Sequence, residues 1–327
     1  VDVSRPRHLT HLIDEPVRDI ATGKYHSAAL TSEGKVFTWG IGRGGRLGHG
    51  DEASQPHPEL VNSFPEGVKI TAIAAGENHM LAVDSRGNLF SWGSNRFGQL
   101  GRPTKSSSSG WCPQRVDKFR RHSVCGIAAG ENHSVCFTSA GVIYTWGCNK
   151  HGQLGVRLTG TESGCGAPGS SSPVRVALRQ ANVGTSSRSG WDDGESEEEQ
   201  VVLQVCASRC STLVLARLRY NTSTRGKVND VFQWGHGSYN PTRVQFLKPT
   251  PDISTHIGVG CKWSGASDHR ANVTRVSAGY HHFVAMDGSS GCVFTWGLGA
   301  VQLGHGRKEQ SHLSSPQLLR SLLPENG

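Results

Sequence analysis

No run of eighteen apolar residues occurs in the 327-residue chain, so no segment reads as a membrane-spanning helix. Helical leucine periodicity is also missing, and aromatic residues make up only 7% of the sequence. The motifs that usually mark catalysis are absent: there is no G-x-S-x-G elbow, no G-x-x-x-x-G-K-[ST] phosphate loop and no H-E-x-x-H. Without such a constellation the expectation is a protein that is not an enzyme and needs no cofactor. No signal peptide is present at Val1-Asp2-Val3-Ser4-Arg5, and the start reads as that of an excised segment. The nine cysteines, at positions 112, 125, 136, 148, 165, 206, 210, 261 and 292, are odd in number and scattered. That pattern fits a reducing compartment, cytoplasm or nucleus, better than a disulfide framework. Their closest pair, Cys206 and Cys210, has no second pair at ligand spacing, so no metal site is expected.

What the chain has in quantity is glycine, 42 residues, and repetition. Ile73 to Gly101 reads I-A-A-G-E-N-H-M-L-A-V-D-S-R-G-N-L-F-S-W-G-S-N-R-F-G-Q-L-G, and Ile127 to Gly155 follows it closely. Ile20 to Gly48 keeps the same plan. Gly23, Gly76 and Gly130 each stand sixteen residues before a tryptophan (Trp39, Trp92, Trp146), and a Leu-Gly pair begins eight residues after each tryptophan. Successive tryptophans are 53 and 54 residues apart, close to the periods of solenoids and propellers. A fourth clear copy runs through Gly279, His282 and Trp296. A degraded copy contains Ser208, Ser211, Asn229 and Trp234, with no Leu-Gly after it.

Within a unit, His79 to Val83 and Asn88 to Trp92 are short β-prone runs around the turn cluster Asp84-Ser85-Arg86-Gly87. The glycine five residues before each tryptophan (Gly34, Gly87, Gly141, Gly291) suits a positive-φ turn. Asn229 fills that slot in the degraded copy and is expected to share its left-handed conformation. Short strands with one tryptophan per period of about 50 residues predict all-β blades of a propeller. About five units are recognisable, forming a single domain over residues 1–327.

The W-G-x-N-x-x-G-Q-L-G run at Trp92 and Trp146, with I-A-A-G-x-x-H upstream, resembles the repeat of the regulator of chromosome condensation family. That resemblance implies a β-propeller, usually of seven blades. Residues 24–52 are more narrowly similar to the propeller of inhibitor of Bruton tyrosine kinase-like proteins, where ankyrin repeats and BTB domains flank it. The resemblance implies a regulatory or adaptor scaffold within a larger protein. Its partners would be proteins: a kinase, a small GTPase or a ubiquitin-ligase component. A different class, guanine-nucleotide exchange on a small GTPase, is implied by founding members of the wider family, but their wedge hairpin maps onto no residues here.

Chromatin or nucleic-acid binding is a further expectation from the sequence pI of about 9.1. It is a weak one, because the basic residues are spread without aromatic interleaving. Residues 160–200 read as a low-complexity acidic insert, with Asp192, Asp193, Glu195, Glu197, Glu198 and Glu199 beside Arg188. Residues 247–272 read as a second insertion.

Two groups of residues invite functional readings. Gly40-Ile41-Gly42-Arg43-Gly44-Gly45 matches G-x-G-x-x-G, but the second unit aligns the same glycines with blade positions, so no dinucleotide site is expected. Arg43, Arg46 and His49 remain a basic candidate interaction loop. The histidines His26, His79, His133 and His282 recur once per unit, too far apart around a ring to share a metal ion. They are expected to hydrogen-bond backbone where a strand begins, and the tryptophans are expected to be core.

Overall fold

The computed structural model describes residues 8–158, 166–178, 200–218, 229–246, 271–299, 301–306 and 312–319. They form five four-stranded antiparallel sheets and no α-helix among the described residues, which is the all-β architecture the repeat predicts. Sheet 1 contains β1 (Val17–Thr22), β2 (His26–Thr31), β3 (Val36–Gly40) and β4 (Gln55–Leu60), and sheet 2 contains β5 (Ile70–Ala75), β6 (His79–Asp84), β7 (Leu89–Gly93) and β8 (Gln114–Arg115). Sheet 3 comprises β9 (Val124–Ala129), β10 (His133–Thr138), β11 (Ile143–Cys148) and β12 (Gly169–Val176). Sheet 4 comprises β13 (Gln200–Ala207), β14 (Ser211–Leu218), β15 (Asp230–Gly235) and β16 (Ser238–Arg243). Sheet 5 comprises β17 (Val273–Ala278), β18 (His282–Asp287), β19 (Val293–Leu298) and β20 (His312–Leu318). Each sheet is a meander in sequence order, so each repeat is one blade.

The chain divides into two compact units. The first is Val1–Ser139 with Tyr144–Lys150 and Leu158–Val174; the second is Ala140–Ile143, His151–Arg157 and Arg175–Gly327. In the first unit, β6 and β10 are buried along their whole length, and β6 serves two cores. Met80 and Ala82 of β6 face one way, into a cluster with Ala28, Leu30, Ile73 and Trp92. Leu81 and Val83 face the other way, against Val116, Phe119, Cys136 and Trp146. Side chains alternate across a strand, so a strand between two cores must be apolar at every position, as M-L-A-V is. In the second unit, Leu213, Leu215, Val231, Val276, Phe283 and Trp296 belong to the core of sheets 4 and 5.

β1 differs from its equivalents. Val17 and Ile20 are 42% and 69% exposed, whereas Ile70 and Ile73, at the same repeat positions, are 2% and 8% exposed. Trp39 is half-buried, while Trp92, Trp146, Trp234 and Trp296 are buried.

Three sequence expectations are corrected. Gly169–Val176, read as part of the acidic insert, is the outer strand of sheet 3. Its serines and Pro173 suit an edge strand, where one side of the ladder goes unpaired, and Ser170 Oγ accepts from Ser172 N at 3.3 Å. Asn229 has no positive φ; His236 is the one non-glycine with positive φ among the described residues. Asn229 instead donates from Nδ2 to Val273 O at 2.8 Å and accepts from Arg217 Nε at 3.1 Å. The β14–β15 connection runs from Leu218 to Asp230, too long to need the tight turn that the glycines supply elsewhere. Third, His26 and His79 bond through their rings to side chains rather than backbone, as described below. The acidic stretch 188–199 and most of the second insertion, residues 247–270, lie outside the described residues.

Candidate functional site: the clasp between blades and the loop surface

The repeated residues assemble into a clasp that joins one blade to the next. In the first unit its centre is the carbonyl oxygen of Gln99, on the loop after β7. Trp146 Nε1 and Ser134 Oγ both donate to it, each at 2.8 Å. The Ser134 hydroxyl has thereby used its hydrogen, so His79 Nε2, 2.9 Å from Ser134 Oγ, must be the protonated nitrogen that donates to it. The second unit repeats the arrangement: Gln153 O accepts from Trp234 Nε1 at 2.9 Å and from Thr212 Oγ1 at 2.8 Å. Nearer the N-terminus, Trp92 Nε1 donates to Arg46 O at 3.1 Å, and Met80 replaces the hydroxyl, its Sδ lying 3.1 Å from His26 Nε2.

His26 and His79 are structural in this arrangement, and burial keeps these two neutral. It depresses the His79 pKa to about 3, with His133 and His26 adding to the effect. His26 is lowered to about 4 by burial and then by the Arg46 charge. His133 is fully buried, whereas His282 is half-buried. Gly23, Gly76 and Gly279 make room for the rings, since a Cβ there would stand 2.1, 2.2 and 2.4 Å from the imidazole Cε1 of His26, His79 and His282. Gly76 and Gly130 also close the strand turns, each donating from N to the carbonyl of the histidine three residues on at 2.9 Å.

A second repeated contact ties each loop down. The hydroxyl residue before the tryptophan donates to the leucine carbonyl of Leu-Gly: Thr38 to Leu47 at 2.7 Å, Ser91 to Leu100 at 2.8 Å and Thr295 to Leu303 at 2.8 Å. His49 belongs to this contact, its Nε2 lying 3.0 Å from Thr38 Oγ1, as His305 does beside Thr295 at 2.9 Å.

The basic loop of the first repeat is therefore only partly a surface. Arg43 is exposed and His49 is half-buried against Thr38. Arg46 is only 5% exposed. Its Nε donates to Arg43 O at 2.7 Å and its guanidinium lies 5.9 Å from the ring centre of Tyr25. Burial lowers its pKa, with the Glu77 carboxylate acting in the opposite direction.

Repeat matching passes over residues that vary from unit to unit, and some of these are the exposed ones. Tyr25 is 51% exposed and Tyr280 is 49% exposed. Lys24 stacks on Tyr25 at 5.3 Å and bridges to Glu77 at 3.2 Å, while Arg209 stacks on Tyr280 at 5.4 Å. A sequence signal for them exists: each fills a variable position inside the G-x-x-H turn, which reads S-x-x-S around Arg209.

Four-stranded meanders joined through indole-to-carbonyl clasps are the blades of a β-propeller, and that is the class to which this protein belongs. A family model described as the RCC1-like domain matches residues 1–326, and the chain belongs to that family. Human E3 ubiquitin-protein ligase HERC2 is 38% identical over 157 residues, 47% of this chain and 3% of that protein. The Arabidopsis thaliana ultraviolet-B receptor UVR8 is 34% identical over 154 residues, 47% of this chain and 34% of that protein. The chain thus matches a small part of these relatives. Prp20p of Saccharomyces cerevisiae, whose structure was described with its binding to Gsp1p and histones, is 25% identical with a TM-score of 0.64. That match covers 93% of this chain and 63% of Prp20p. Human WBSCR16, 21% identical with a TM-score of 0.66 over 94% of this chain and 68% of its own, shares the fold.

Proposed function

We propose that this chain is a non-catalytic protein-interaction module that serves a regulatory or adaptor role inside a larger protein. The observation that carries this reading is how the reactive-looking side chains are used. His26, His79, Ser134 and Thr212 are engaged in contacts between blades, whereas exposed Tyr25, Arg43, Arg209 and Tyr280 lie on loops. Rigid repeats presenting variable loops suit recognition. The likeness to the E3 ubiquitin-protein ligase HERC2 supports a ubiquitin-ligase component as the partner; a kinase or a small GTPase, met in the cytoplasm or nucleus, is the alternative partner within the same reading.

Affinity capture with the intact parent protein and with this segment alone tests the reading. Partners common to both baits support it, and a segment that retains no specific partner overturns it. A second reading, nucleotide exchange, is motivated by the described binding of Prp20p to Gsp1p. Release of labelled GDP from a panel of small GTPases decides it: accelerated release would replace the scaffold reading, and unchanged release would leave it standing. Retention on DNA with a steep salt dependence would instead favour chromatin binding.

A further inference from the structure

The sequence contains a single Arg-Arg pair, Arg120-Arg121, and it stands three and two residues before Ser123. Residues 120–123 connect the 3-10 turn Asp117–Phe119 to β9, within the first unit. All four are exposed, while Phe119 on one side and Val124 on the other are buried. The loop is thus anchored at both ends and open between them.

Few contacts hold the loop in its turn. His122 N donates to Phe119 O at 3.0 Å, its ring lies 6.5 Å from that of Tyr144, and Ser123 O accepts from Ser139 N at 2.8 Å. Among the described residues nothing hydrogen-bonds the Ser123 hydroxyl. That hydroxyl lies against Gly87 of the β6–β7 turn, where a Cβ would stand 2.3 Å from Ser123 Oγ, so the glycine leaves the oxygen uncovered. Val124 N donates to Gly87 O at 3.0 Å and fixes the approach. Asp117, the carboxylate of the preceding turn, bridges to Arg115 at 3.5 Å, and neither Arg120 nor Arg121 takes part in an ion pair among the described residues.

We propose that Ser123 is a phosphorylation site for a serine kinase that selects arginine two and three residues before its acceptor. Such an enzyme reads the two guanidinium groups through carboxylates, in paired, charge-assisted hydrogen bonds. Ser123 Oγ attacks the γ-phosphorus of magnesium-ATP held by the kinase. The new Oγ–P bond replaces the bridging P–O bond to ADP, which leaves, and the hydroxyl proton passes to the kinase's catalytic aspartate. Presenting the loop in extended form requires opening the His122–Phe119 bond, a local opening confined to exposed residues. Two rival acceptors fail on structure. The serines at 106–109 follow Arg102, which is 6% exposed and bound to Ser91 and Gln114. Ser277 follows Arg275 by two residues but is paired with Val284 in the β17–β18 ladder. The phosphoserine adds a charge of about −2 to a loop whose own cations are Arg120 and Arg121, so the mark erases the basic character of this surface.

The experiment uses the full chain with magnesium-ATP and the catalytic subunit of cyclic-AMP-dependent protein kinase, which has this preference. Mass spectrometry of the digested product locates the phosphate. Early in the time course Ser123 carries it, ahead of the serines at 106–109 and 277. Arg120→Gln with Arg121→Gln slows transfer to Ser123 by roughly a hundredfold, since two charge-assisted contacts are lost, and Ser123→Ala removes the phosphopeptide. Circular dichroism confirms that the variants, all at exposed positions, fold. An acid-directed serine kinase leaves Ser123 unmodified. The proposal is overturned if Ser123 of the native chain stays unmodified, if it is modified only after the chain is heated to unfolding, if the double substitution does not slow the transfer, or if the acid-directed kinase modifies it equally well. None of these outcomes bears on the interaction-module reading, which stands or falls on the captured partners.

Discussion

Trp296 Nε1 donates to Gln233 Oε1 at 2.7 Å, a side-chain acceptor standing where Trp92, Trp146 and Trp234 find a loop carbonyl. Sheet 4 has no Leu-Gly loop to supply that carbonyl, because β15 turns straight into β16. The substitution shows that the indole N–H must be satisfied wherever the ring is buried, even after the repeat has lost the segment that normally does it.

Gln233→Leu should therefore strand a buried donor. A loss of about 1–3 kcal/mol is expected, read by urea unfolding. Gln233→Glu, which keeps an acceptor, should lose less. Equal losses for the two variants would show that packing, not the hydrogen bond, sets the cost.

Trp92→Ala removes a side chain that is 0% exposed together with its bond to Arg46 O. It should destabilise by about 3–5 kcal/mol. Half-buried Trp39 should lose clearly less on the same substitution. Melting temperatures of the two variants check the order, and a reversed order would contradict the clasp as the source of blade cohesion.

Gly101 sits under the next tryptophan at φ 66°, and a Cβ there would stand 2.7 Å from Trp146 Nε1. Gly67 has a similar φ of 74° but nothing within 4 Å of a Cβ. Gly67→Ala should carry only the left-handed penalty, about 1–2 kcal/mol. Gly101→Ala should add an overpacking loss of about 1–3 kcal/mol. Thermal unfolding of the pair separates the two contributions.

Acid should weaken the first unit through His26 and His79. Their folded pKa values, about 4 and about 3, lie below the ordinary 6.5, so the unfolded chain takes up more protons between those limits. The stabilisation is complete above about pH 6.5 and declines as pH falls, by about 2 kcal/mol per histidine at pH 5. Urea unfolding at pH 7.5 and pH 5.0 measures the slope. His79→Gln should flatten it even though the variant is less stable at neutral pH.

Thiol reactivity should sort by burial. Cys125 is exposed, while Cys136 is buried and its pKa is pushed well above the ordinary thiol value by desolvation. A disulfide reagent at pH 8 should label Cys125 within the mixing phase and Cys136 only as the chain unfolds. Mass spectrometry of the labelled peptides identifies each site, and prompt labelling of Cys136 would contradict its packing beside Trp146.

The repeat itself was legible in the linear chain. Spacings of sixteen and eight residues around each tryptophan determine strand, turn and blade, because a hairpin closes locally and needs only its own residues. The buried tryptophans and the positive φ at Gly34, Gly87, Gly141 and Gly291 follow from the same register. Tertiary structure alone decided which side chains remain available. Arg46 looks like a loop cation in sequence and is 5% exposed, and His79 looks like a candidate ligand until Ser134, 55 residues away, occupies it. Conversely, the Arg-Arg-His-Ser run ending at Ser123 does not itself say that the hydroxyl is left open by Gly87, 36 residues away in the β6–β7 turn. Burial and charge proximity depend on packing between blades, and a pattern confined to one blade does not encode who stands beside it.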